Sequence, residues 1–558
     1  MARTSGPSEV EQVKAQSHAL RGHLKESLAD GAAAFDDDGY SLLKFHGIYQ
    51  GYDRDSATEL KQRGEEKHYQ LMVRARIPGG RLTAAQYLAF DDIADRHANG
   101  TLRLTTRQSI QLHGVLKRDI KETIAAIDGA LLTTLAACGD VVRTVTTVPA
   151  PIRDAVHERL AEDARRISRH MLPQSRAYHE IWLDGAPVAG EDEETLYGKT
   201  YLPRKFKIGI ATPDDNSVDV LTNDLGIIAL FEGERLAGYN FALGGGLGMT
   251  HNNPRTYPRL ATLVAFVEPE DLVAAAEAVV KLHRDHGDRG NRRHARLKYI
   301  IAEQGEAWAK ARLEEYLGKP LAAPRPMPAF RVKDHLGWHE QGDGRLYLGV
   351  PVPSGRIGGA LKAALRDVVE RFEIDPVITP TQDLILGNVR PGHRDAVESI
   401  LRAGGVDFDL SPARRWSLAC PALPTCGLAL TEAERVQDPL VSGIEAALAR
   451  HGLGQETLSI RITGCPNGCA RPYAGDIGIV GRMPGFYALF VGGDFAGTRL
   501  NFLLLDRVAE AAVAATLEPL FALFAAERAA GEGFGDFCHR AGKERLLAAL
   551  GHRLKEAS

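Results

Sequence analysis

An internal repeat constrains the fold of this chain more than any other feature of its sequence. The segment VRARIPGG…SIQLHGV at residues 73–115 and the segment LGVPVPSG…LILGNVR at residues 348–390 follow the same plan. Each runs from a β-like stretch through a Pro- and Gly-rich turn into a helical period of Ala and Leu, then into an alternating strand around TTRQ or TPTQ. Because such self-similarity indicates duplication, the sequence predicts an α/β protein with mixed sheets and internal pseudo-twofold symmetry.

The repeat divides the 558 residues into four predicted segments, within the range of three or four domains that this length suggests. Residues 66–140 and 337–410 form the predicted repeat domain, residues 141–336 a central domain, and residues 411–558 a C-terminal domain. Strand-like KFKIGIA (205–211) and DIGIVGR (476–482) follow the two units. Residues 1–65 are polar in part, and we expect them to be partly mobile or to dock a partner.

Composition excludes several classes of protein. The chain is 44% hydrophobic and 25% charged, with a formal net charge of -4, which is typical of a soluble globular protein without a general basic surface for nucleic acid. Its first residues, MARTSGPSEVEQ, lack the apolar segment of a secretory signal, and no apolar run reaches the ~18 residues that a membrane span needs. We therefore expect a cytoplasmic protein with neither a membrane nor a nucleic-acid partner.

Four of the six cysteines form two close pairs, in CPALPTC (Cys420 and Cys426) and in TGCPNGC (Cys465 and Cys469). In a reducing compartment such thiols are more often free, catalytic or metal-bound than paired in disulfides. Structural zinc prefers C-x2-C to C-x4-C spacings, whereas a [4Fe-4S] cluster is larger and accepts the x5 and x3 spacings found here. Four buried, unligated cysteines are the other interpretation. Cys138 and Cys538 stand alone, and we expect each to be a core or surface thiol.

Basic residues recur in short strand-like or turn segments of the first half. They include Arg74 and Arg76 in VRARIPGG, Arg103 and Arg107 in LRLTTRQ, and Arg204, Lys205 and Lys207 in LPRKFK. In a strand, Lys205 and Lys207 point to the same side. Any one of these cations could simply protect a sheet edge. Together, with few acidic residues nearby, they favour a site that binds a polyanion.

Six motifs occur in an order that resembles the sulfite and nitrite reductases, especially the hemoprotein (beta) subunits of assimilatory sulfite reductase. They are LKFHGIYQGYDRD, LRLTTRQSIQLHG, YLPRKFK, GYNFALGGGLGMTHNNPRTY, CPALPTC and TGCPNGCARP. The resemblance extends from about residue 40 to GEGFGDF at 531–537. It implies a three-domain, pseudo-twofold symmetric siroheme reductase fold, with siroheme bridged through one cysteine to a [4Fe-4S] cluster.

The resemblance also implies roles for individual residues. The cluster ligands would be Cys420, Cys426, Cys465 and Cys469, with Cys469 shared with the siroheme iron. Siroheme carboxylates and edges would be held by Arg103, Thr105, Arg107, Gln111, Arg204 and Asn467, and less strongly by Arg296. The cations that bind the substrate would be Arg74, Arg143, Lys205 and Lys207. His113 is expected to be a hydrogen-bonding residue of the core or cofactor edge rather than an axial ligand.

The implied activity is the six-electron reduction of sulfite to sulfide, in sulfate assimilation and cysteine biosynthesis. The glycine-rich GGGLGM at 244–249 does not match a dinucleotide fingerprint, so electrons would come from a separate protein. An NADPH-dependent flavoprotein subunit is the donor that the resemblance implies, and a ferredoxin is the other possibility. Two alternative functions stay open at this point: a siroheme nitrite reductase that forms ammonia, and a non-catalytic iron-sulfur or zinc scaffold.

Overall fold

The structure, a computed structural model, describes residues 6–186 and 194–551. Its strands, numbered along the chain, form four sheets within these residues. In spatial order the first sheet contains β1 (Ile48–Tyr52), β2 (Tyr69–Arg74), β4 (Ile110–Val115), β3 (Leu102–Leu104) and β11 (Arg356–Ile357). The second contains β12 (Pro376–Ile378), β13 (Leu384–Val389), β10 (Leu346–Val350) and β9 (Gly337–Glu340).

The third and fourth sheets combine parallel and antiparallel pairs. The third contains β5 (Ile208–Ala211), β6 (Leu225–Glu232), β7 (Arg235–Leu243) and β8 (Thr262–Val267). The fourth contains β14 (Ser417–Ala419), β15 (Ile460–Thr463), β16 (Ile477–Met483), β17 (Phe486–Val491) and β18 (Phe502–Ala509).

Helices cover these sheets. They are α1 (Glu9–Gln16), α2 (Leu24–Ser27), α3 (Asp37–Leu43), α4 (Ala57–Arg63), α5 (Ala84–His97), α6 (Ile120–Gly129), α7 (Ala155–His170), α8 (Ala177–Trp182), α9 (Leu272–His286), α10 (Leu297–Gln304), α11 (Glu306–Leu317), α12 (Gly359–Phe372), α13 (Arg394–Ala403), α14 (Pro412–Arg415), α15 (Gln437–Arg450), α16 (Val513–Glu527) and α17 (Phe534–Leu550). In the part of the chain that the structure describes, none of them is both long enough and apolar enough to cross a membrane.

The predicted repeat is present in the structure. The order β2, α5, β3, β4, α6 in the first unit corresponds to β10, α12, β12, β13, α13 in the second. The sheet order β2-β4-β3 likewise corresponds to β10-β13-β12. Each unit therefore places its helices and strands in the same sequence, and the α/β fold with duplicated halves is confirmed.

The two units pack against each other reciprocally through their glycine turns. Gly80 and Gly355 occupy equivalent turns, and both have left-handed backbone, with φ of 73° and 71°. A Cβ on Gly80 would lie 2.3 Å from the Ile378 carbonyl oxygen at the end of β12, and one on Gly355 would lie 2.5 Å from the Leu104 oxygen at the end of β3. Because each turn touches the other unit's strand, the contact has pseudo-twofold symmetry and requires glycine on both sides.

The third and fourth sheets repeat a second motif. The backbone N–H of Lys207, just before β5, donates to the Asp224 carboxylate at 2.9 Å. The N–H of Ser459, just before β15, donates to Asp476 at 2.8 Å. Both aspartates directly precede the strand that pairs in parallel with β5 or β15. The same framework therefore carries a lysine in the first half and a serine in the second.

Helix α5 shows why the sequence adopts these elements. The Thr83 side chain caps its first turn and Gln86 bonds back to the Thr83 N–H, which together form a capping box. Tyr87, Phe90 and Ala94 recur at helical spacing on one face and are at most 1% exposed. The helical spacing of the apolar residues therefore determines which face of α5 packs on β3 and β4 of the first sheet.

The N-terminal segment joins the core through charged side chains. Glu11 and Lys14 of α1 are only 2% and 1% exposed. Lys14 Nζ forms an ion pair with Glu11, donates to the Leu202 carbonyl at 2.8 Å and lies 3.6 Å from Asp140. These contacts tie α1 to the backbone just before Arg204. A partner-docking role for residues 1–65 stays a prediction.

Candidate active site

Both cysteine loops begin at the same edge of the fourth sheet. Strands β14 and β15 are parallel neighbours, and Cys420 directly follows β14 while Cys465 follows β15 by one residue. The Cys420 N–H also donates to the Ile462 carbonyl at 3.1 Å. Because the carboxyl ends of parallel strands meet at one edge, the chain brings two sequence-distant thiol pairs together.

The four thiols interact with one another. Burial first, and then the neighbouring Cys469 thiol, raise the pKa of Cys420 and Cys426, and they raise the pKa of Cys465 to about 12. Hydrogen-bond donors point at the sulfurs: the Gly464 N–H lies 3.4 Å from Cys420 Sγ and the Asn467 amide nitrogen 3.5 Å from Cys465 Sγ. The structure thus gathers the predicted ligands into one group.

This group fits an iron-sulfur cluster. Four neighbouring cysteine sulfurs with N–H donors are the usual surroundings of such a cluster. Burial alone disfavours the charged thiolates, and bonding to iron would stabilise them. Cys469 is exposed while Cys420 and Cys465 are buried, so Cys469 lies at the accessible side of the group. Among the described residues, no three His, Cys, Asp or Glu side chains surround a point that a single metal ion could occupy.

Among the residues that the structure describes, Lys205 and Lys207 are two cations without a counter-charge of their own. Neither ammonium group has a hydrogen-bond or ion-pair partner within residues 6–186 and 194–551. Burial, followed by nearby Arg204 and Arg143, lowers the pKa of Lys205 well below its ordinary value. Burial, followed by Arg296 and Arg107, lowers the pKa of Lys207 to about 7. Two adjacent unpaired lysines among arginines form a site that favours an anion.

Arg143 and Arg204 border these lysines. Arg143 is 8% exposed, donates from Nη2 to the Tyr49 hydroxyl at 3.1 Å and reaches the Gly139 carbonyl at 3.3 Å. Arg204 is half-buried, and its Nη1 lies 3.9 Å from Asp140. Burial lowers the pKa of Arg204, and Asp140 opposes that effect. The two guanidinium groups therefore add fixed positive charge beside Lys205.

Arg107 lies near Lys207 and bonds to residues of the segment 144–223. Its guanidinium donates to the Asn223 side chain at 2.6 Å and to the Thr144 and Ile208 carbonyls at 2.7 and 2.8 Å, while its buried Nε has no partner among the described residues. The Thr105 hydroxyl accepts the Arg107 N–H at 3.2 Å. An unpaired buried donor beside unpaired lysines fits a ligand with several carboxylates, as a siroheme would be.

Gln111 links two of the predicted arginines across the first sheet. It pairs in register with Arg74 of β2 and with Arg103 of β3. Its side-chain amide lies between Arg74 Nε and His113 Nε2, at 3.1 Å from each. His113 is 2% exposed and hydrogen-bonded within the sheet. The structure therefore gives His113 the role of a core hydrogen-bonding residue.

Two predicted siroheme residues are already engaged by protein groups. Arg103 is fully buried and donates to Glu434 and to the Ala419 carbonyl. Arg296 forms a two-pronged pair with Asp224 at 2.9 and 2.8 Å. Their contact with siroheme stays a prediction.

The glycine-rich loop at residues 244–249 contacts both Lys298 and the cysteine loop TGCPNGC. Lys298 Nζ donates to the carbonyls of Gly246 and Gly248 at 3.1 and 2.8 Å. The Met249 N–H donates to the Pro466 carbonyl at 2.9 Å, and a Cβ on Gly248 would lie 3.2 Å from the Asn467 oxygen. The absence of a side chain lets this loop approach TGCPNGC closely.

Several residues that shape the site were missed by sequence reasoning. They are Tyr49, Asp140, Asn223, Asp224, Lys298 and Glu434. A signal existed for Tyr49, which lies inside the quoted motif LKFHGIYQGYDRD. The carboxylates carried no such signal, because each meets its arginine only after the chain has folded.

Two family models match the chain. The model described as "Nitrite and sulphite reductase 4Fe-4S domain" matches residues 162–321 and 415–558. The model described as "Nitrite/Sulfite reductase ferredoxin-like half domain" matches twice, at residues 62–130 and 339–404. Together they cover most of the sequence, and the protein belongs to the nitrite and sulfite reductase family.

Curated relatives are similar over nearly the whole chain. A sulfite reductase (NADPH) hemoprotein beta-component from Myxococcus xanthus is 50% identical and covers 96% of both chains. A protein of the same description from Acidithiobacillus ferrooxidans is 47% identical, again over 96% of both. A sulfite reductase (ferredoxin) from Synechococcus elongatus is 44% identical over 98% of this chain and 92% of its own.

Among solved structures, the NirA protein of Mycobacterium tuberculosis superposes with a TM-score of 0.81. The match covers 97% of this chain and 98% of the NirA chain, at 24% sequence identity. This likeness confirms the fold that the repeat predicts.

Proposed function

We propose that this protein catalyses the six-electron reduction of sulfite to sulfide. The observation that carries the proposal is the pair of unpaired ammonium groups, Lys205 and Lys207, set among buried arginines next to Cys469. Lys205 and Lys207 are half-buried, and cations that lose hydration without gaining a partner are costly, so they persist where a ligand supplies the negative charge. The printed descriptions of the relatives, which name sulfite reductases, support the same substrate.

The chain's own residues can bind and orient the anion. Arg74 and Arg143 supply fixed charge and paired N–H donors for its oxygens. Lys205 and Lys207 supply ammonium groups whose lowered pKa lets them give up a proton to an oxygen that leaves as water. Donors held in place in a site that excludes water stabilise the developing negative charge. A siroheme joined to a [4Fe-4S] cluster would supply the electrons.

The cofactor assignment uses the groups that the structure leaves available. The four cysteines would ligate the cluster, with Cys469 shared with the siroheme iron. Arg107 and Arg204 would hold siroheme carboxylates, supported by Thr105, Gln111 and Asn467. Support comes from the unpaired Nε of Arg107 and from the half-buried Arg204 guanidinium.

Electrons must reach the site from another protein. We propose an NADPH-dependent flavoprotein subunit as the donor, since two of the relatives described above are named as the hemoprotein component of an NADPH enzyme. The ferredoxin-dependent relative makes ferredoxin the alternative. A cytoplasmic location is proposed with it, and cell fractionation would test that location.

An anaerobic visible spectrum of the purified protein tests the proposal. We expect siroheme bands that shift when sulfite is added to the chemically reduced protein, together with sulfide release. Stronger turnover of nitrite to ammonia would favour the nitrite reductase alternative. A colourless protein with zinc at the four cysteines would overturn the enzyme function and leave a scaffold.

A further inference from the structure

Two arginines of the first half donate hydrogen bonds to the backbone at the two ends of the CPALPTC loop. Arg103 Nη2 donates to the carbonyl of Ala419, the residue before Cys420, at 2.8 Å. Arg54 Nη1 donates to the carbonyls of Cys426 and Gly427 at 3.3 and 3.1 Å. Each cluster ligand of this loop therefore has a guanidinium bonded to its own or the adjacent peptide group.

The charge near Cys420 is deeply buried and anchored. The Arg103 side chain is 0% exposed, and its Nη1 donates to Glu434 Oε2 at 2.7 Å. Arg356 approaches the same carboxylate from the second half, with Nε at 2.7 Å and Nη2 at 3.0 Å. One carboxylate thus faces two guanidinium groups, which leaves a net positive charge beside the cluster loop. Arg54 is only half-buried, so water screens its charge more strongly.

These contacts give Arg103 a role beside the siroheme contact that the resemblance implies. We propose that Arg103 and Arg54 are positioning residues that raise the reduction potential of the cluster, and that Glu434 lowers it. This inference rests on the proposed function, because it requires the cluster. When the cluster accepts one electron from a reductant it gains one negative charge, and a nearby positive charge stabilises that reduced state.

An EPR-monitored redox titration of the full-length holoprotein tests the inference. Carbon monoxide bound to the ferrous heme removes its paramagnetism, so that the signal reports the reduced cluster. We expect Arg103→Gln to shift the midpoint potential to more negative values and Glu434→Gln to shift it to more positive values. Arg54→Gln should give a smaller negative shift that shrinks as salt is added, because its charge is partly exposed.

Opposite shifts of the midpoint potential in Arg103→Gln and Glu434→Gln distinguish an effect of charge from structural damage. Distortion of the loop gives no reason for the potentials of the two variants to shift in opposite directions. Arg103→Lys keeps the charge and should restore much of the wild-type potential. Arg499→Gln is the matched control: Arg499 also donates to a carbonyl, Gly492, and to an acid, Asp536, but Gly492 follows β17, at the edge of the fourth sheet opposite the cysteine loops. It should leave the potential unchanged.

Equal or same-signed shifts in Arg103→Gln and Glu434→Gln would overturn the inference. If Arg103→Gln fails to fold, the positive shift of Glu434→Gln and the negative shift of Arg54→Gln still decide it. A wild-type protein without any reduced-cluster signal would instead overturn the proposed function, and the inference with it.

Discussion

Asp219 and Arg471 occupy equivalent positions in the two halves of the molecule and pair with each other, Oδ2 to Nε at 2.9 Å. Both have left-handed backbone, with φ of 48° and 59°, and each directly precedes a short 3-10 turn. Both lie six positions before the first residue of a strand, Leu225 of β6 or Ile477 of β16. Duplicated positions have therefore diverged to opposite charges that join the halves.

Asp219 also accepts from Arg461 Nη1 at 2.6 Å, and all three side chains are at most 9% exposed. Asp219→Asn would leave two buried guanidinium groups facing each other without a counter-charge. We expect the free energy of unfolding to fall by ~3 to 5 kcal/mol, as for other buried pairs that lose one partner. Urea unfolding followed by tryptophan fluorescence measures the change.

The control for this variant is the surface pair of Glu527 and Arg545, whose side chains are 41% and 53% exposed. Glu527→Gln should cost less than ~1 kcal/mol because water screens the pair. A similar small loss for Asp219→Asn would show that the pair does not hold the halves together.

The sequence predicted what depends on local pattern. The spacing of apolar residues and the turn residues are local features, so they predict the duplicated strands and helices. The paired cysteines predict two loops, which the structure places at one sheet edge. Long-range pairing carries no local signal: Glu434 meets Arg103 across 331 positions, and Asp219 meets Arg461 across 242.

Helix α1 is a second case in which long-range pairing could not be predicted from the sequence. Its sequence EVEQVKAQ is polar, and polar segments are usually exposed or mobile. Here Glu11 and Lys14 are buried because Arg289 and Asp140 supply their counter-charges. Only the tertiary structure reveals that these partners exist.

Lys207 offers a direct test of the anion site. Lys207→Met keeps the length of the side chain but removes its charge, so kcat/KM for sulfite should fall by ~10² to 10³, the loss typical for one stabilising donor. Lys207→Arg should hold KM closer to wild type while kcat falls, because an arginine binds the anion but does not release a proton. Steady-state sulfite kinetics separate the two effects.

The cofactor absorbance should stay in both Lys207 variants, which shows that the loss is catalytic. Lys310→Met is the control, since Lys310 lies on α11 and pairs with Glu314 on the helix surface at 2.5 Å. Wild-type sulfite rates in Lys207→Met would remove this lysine from the site.

His46 makes the stability of the protein depend on pH. It is fully buried, Nδ1 accepts from Trp182 Nε1 at 3.0 Å, and Nε2 therefore donates to the Leu20 carbonyl at 3.1 Å. Burial lowers the pKa of His46 to about 4, against an ordinary value of 6.5. Between those values the unfolded chain binds more protons, so the contribution is complete above pH 6.5 and is lost as the pH falls toward 4.

The expected loss is ~3 kcal/mol across this window, from ~1.4 kcal/mol per pH unit. His46→Gln mimics the neutral ring, since an amide can accept from Trp182 and donate to Leu20, and it should flatten the pH dependence by that amount. Urea unfolding at pH 7 and pH 4.5 measures it. His251→Gln, at an exposed position, should leave the slope unchanged, and an unchanged slope in His46→Gln would contradict the assignment.

Cysteine substitutions separate ligands from packing residues. Cys420→Ala removes one of the four converging thiols, so we expect loss of cluster absorption and of both iron and acid-labile sulfide, because a cluster lacking one thiolate is held far less tightly. Cys538 is also fully buried, but it lies in α17 within the apolar core of the C-terminal part, where burial raises its pKa well above the ordinary value. Cys538→Ala should therefore keep full iron and sulfide content, although both variants remove a buried thiol. Equal iron in the two variants would refute the ligand assignment, whereas iron loss confined to Cys420→Ala would show that the edge of β14 and β15 holds the metal centre.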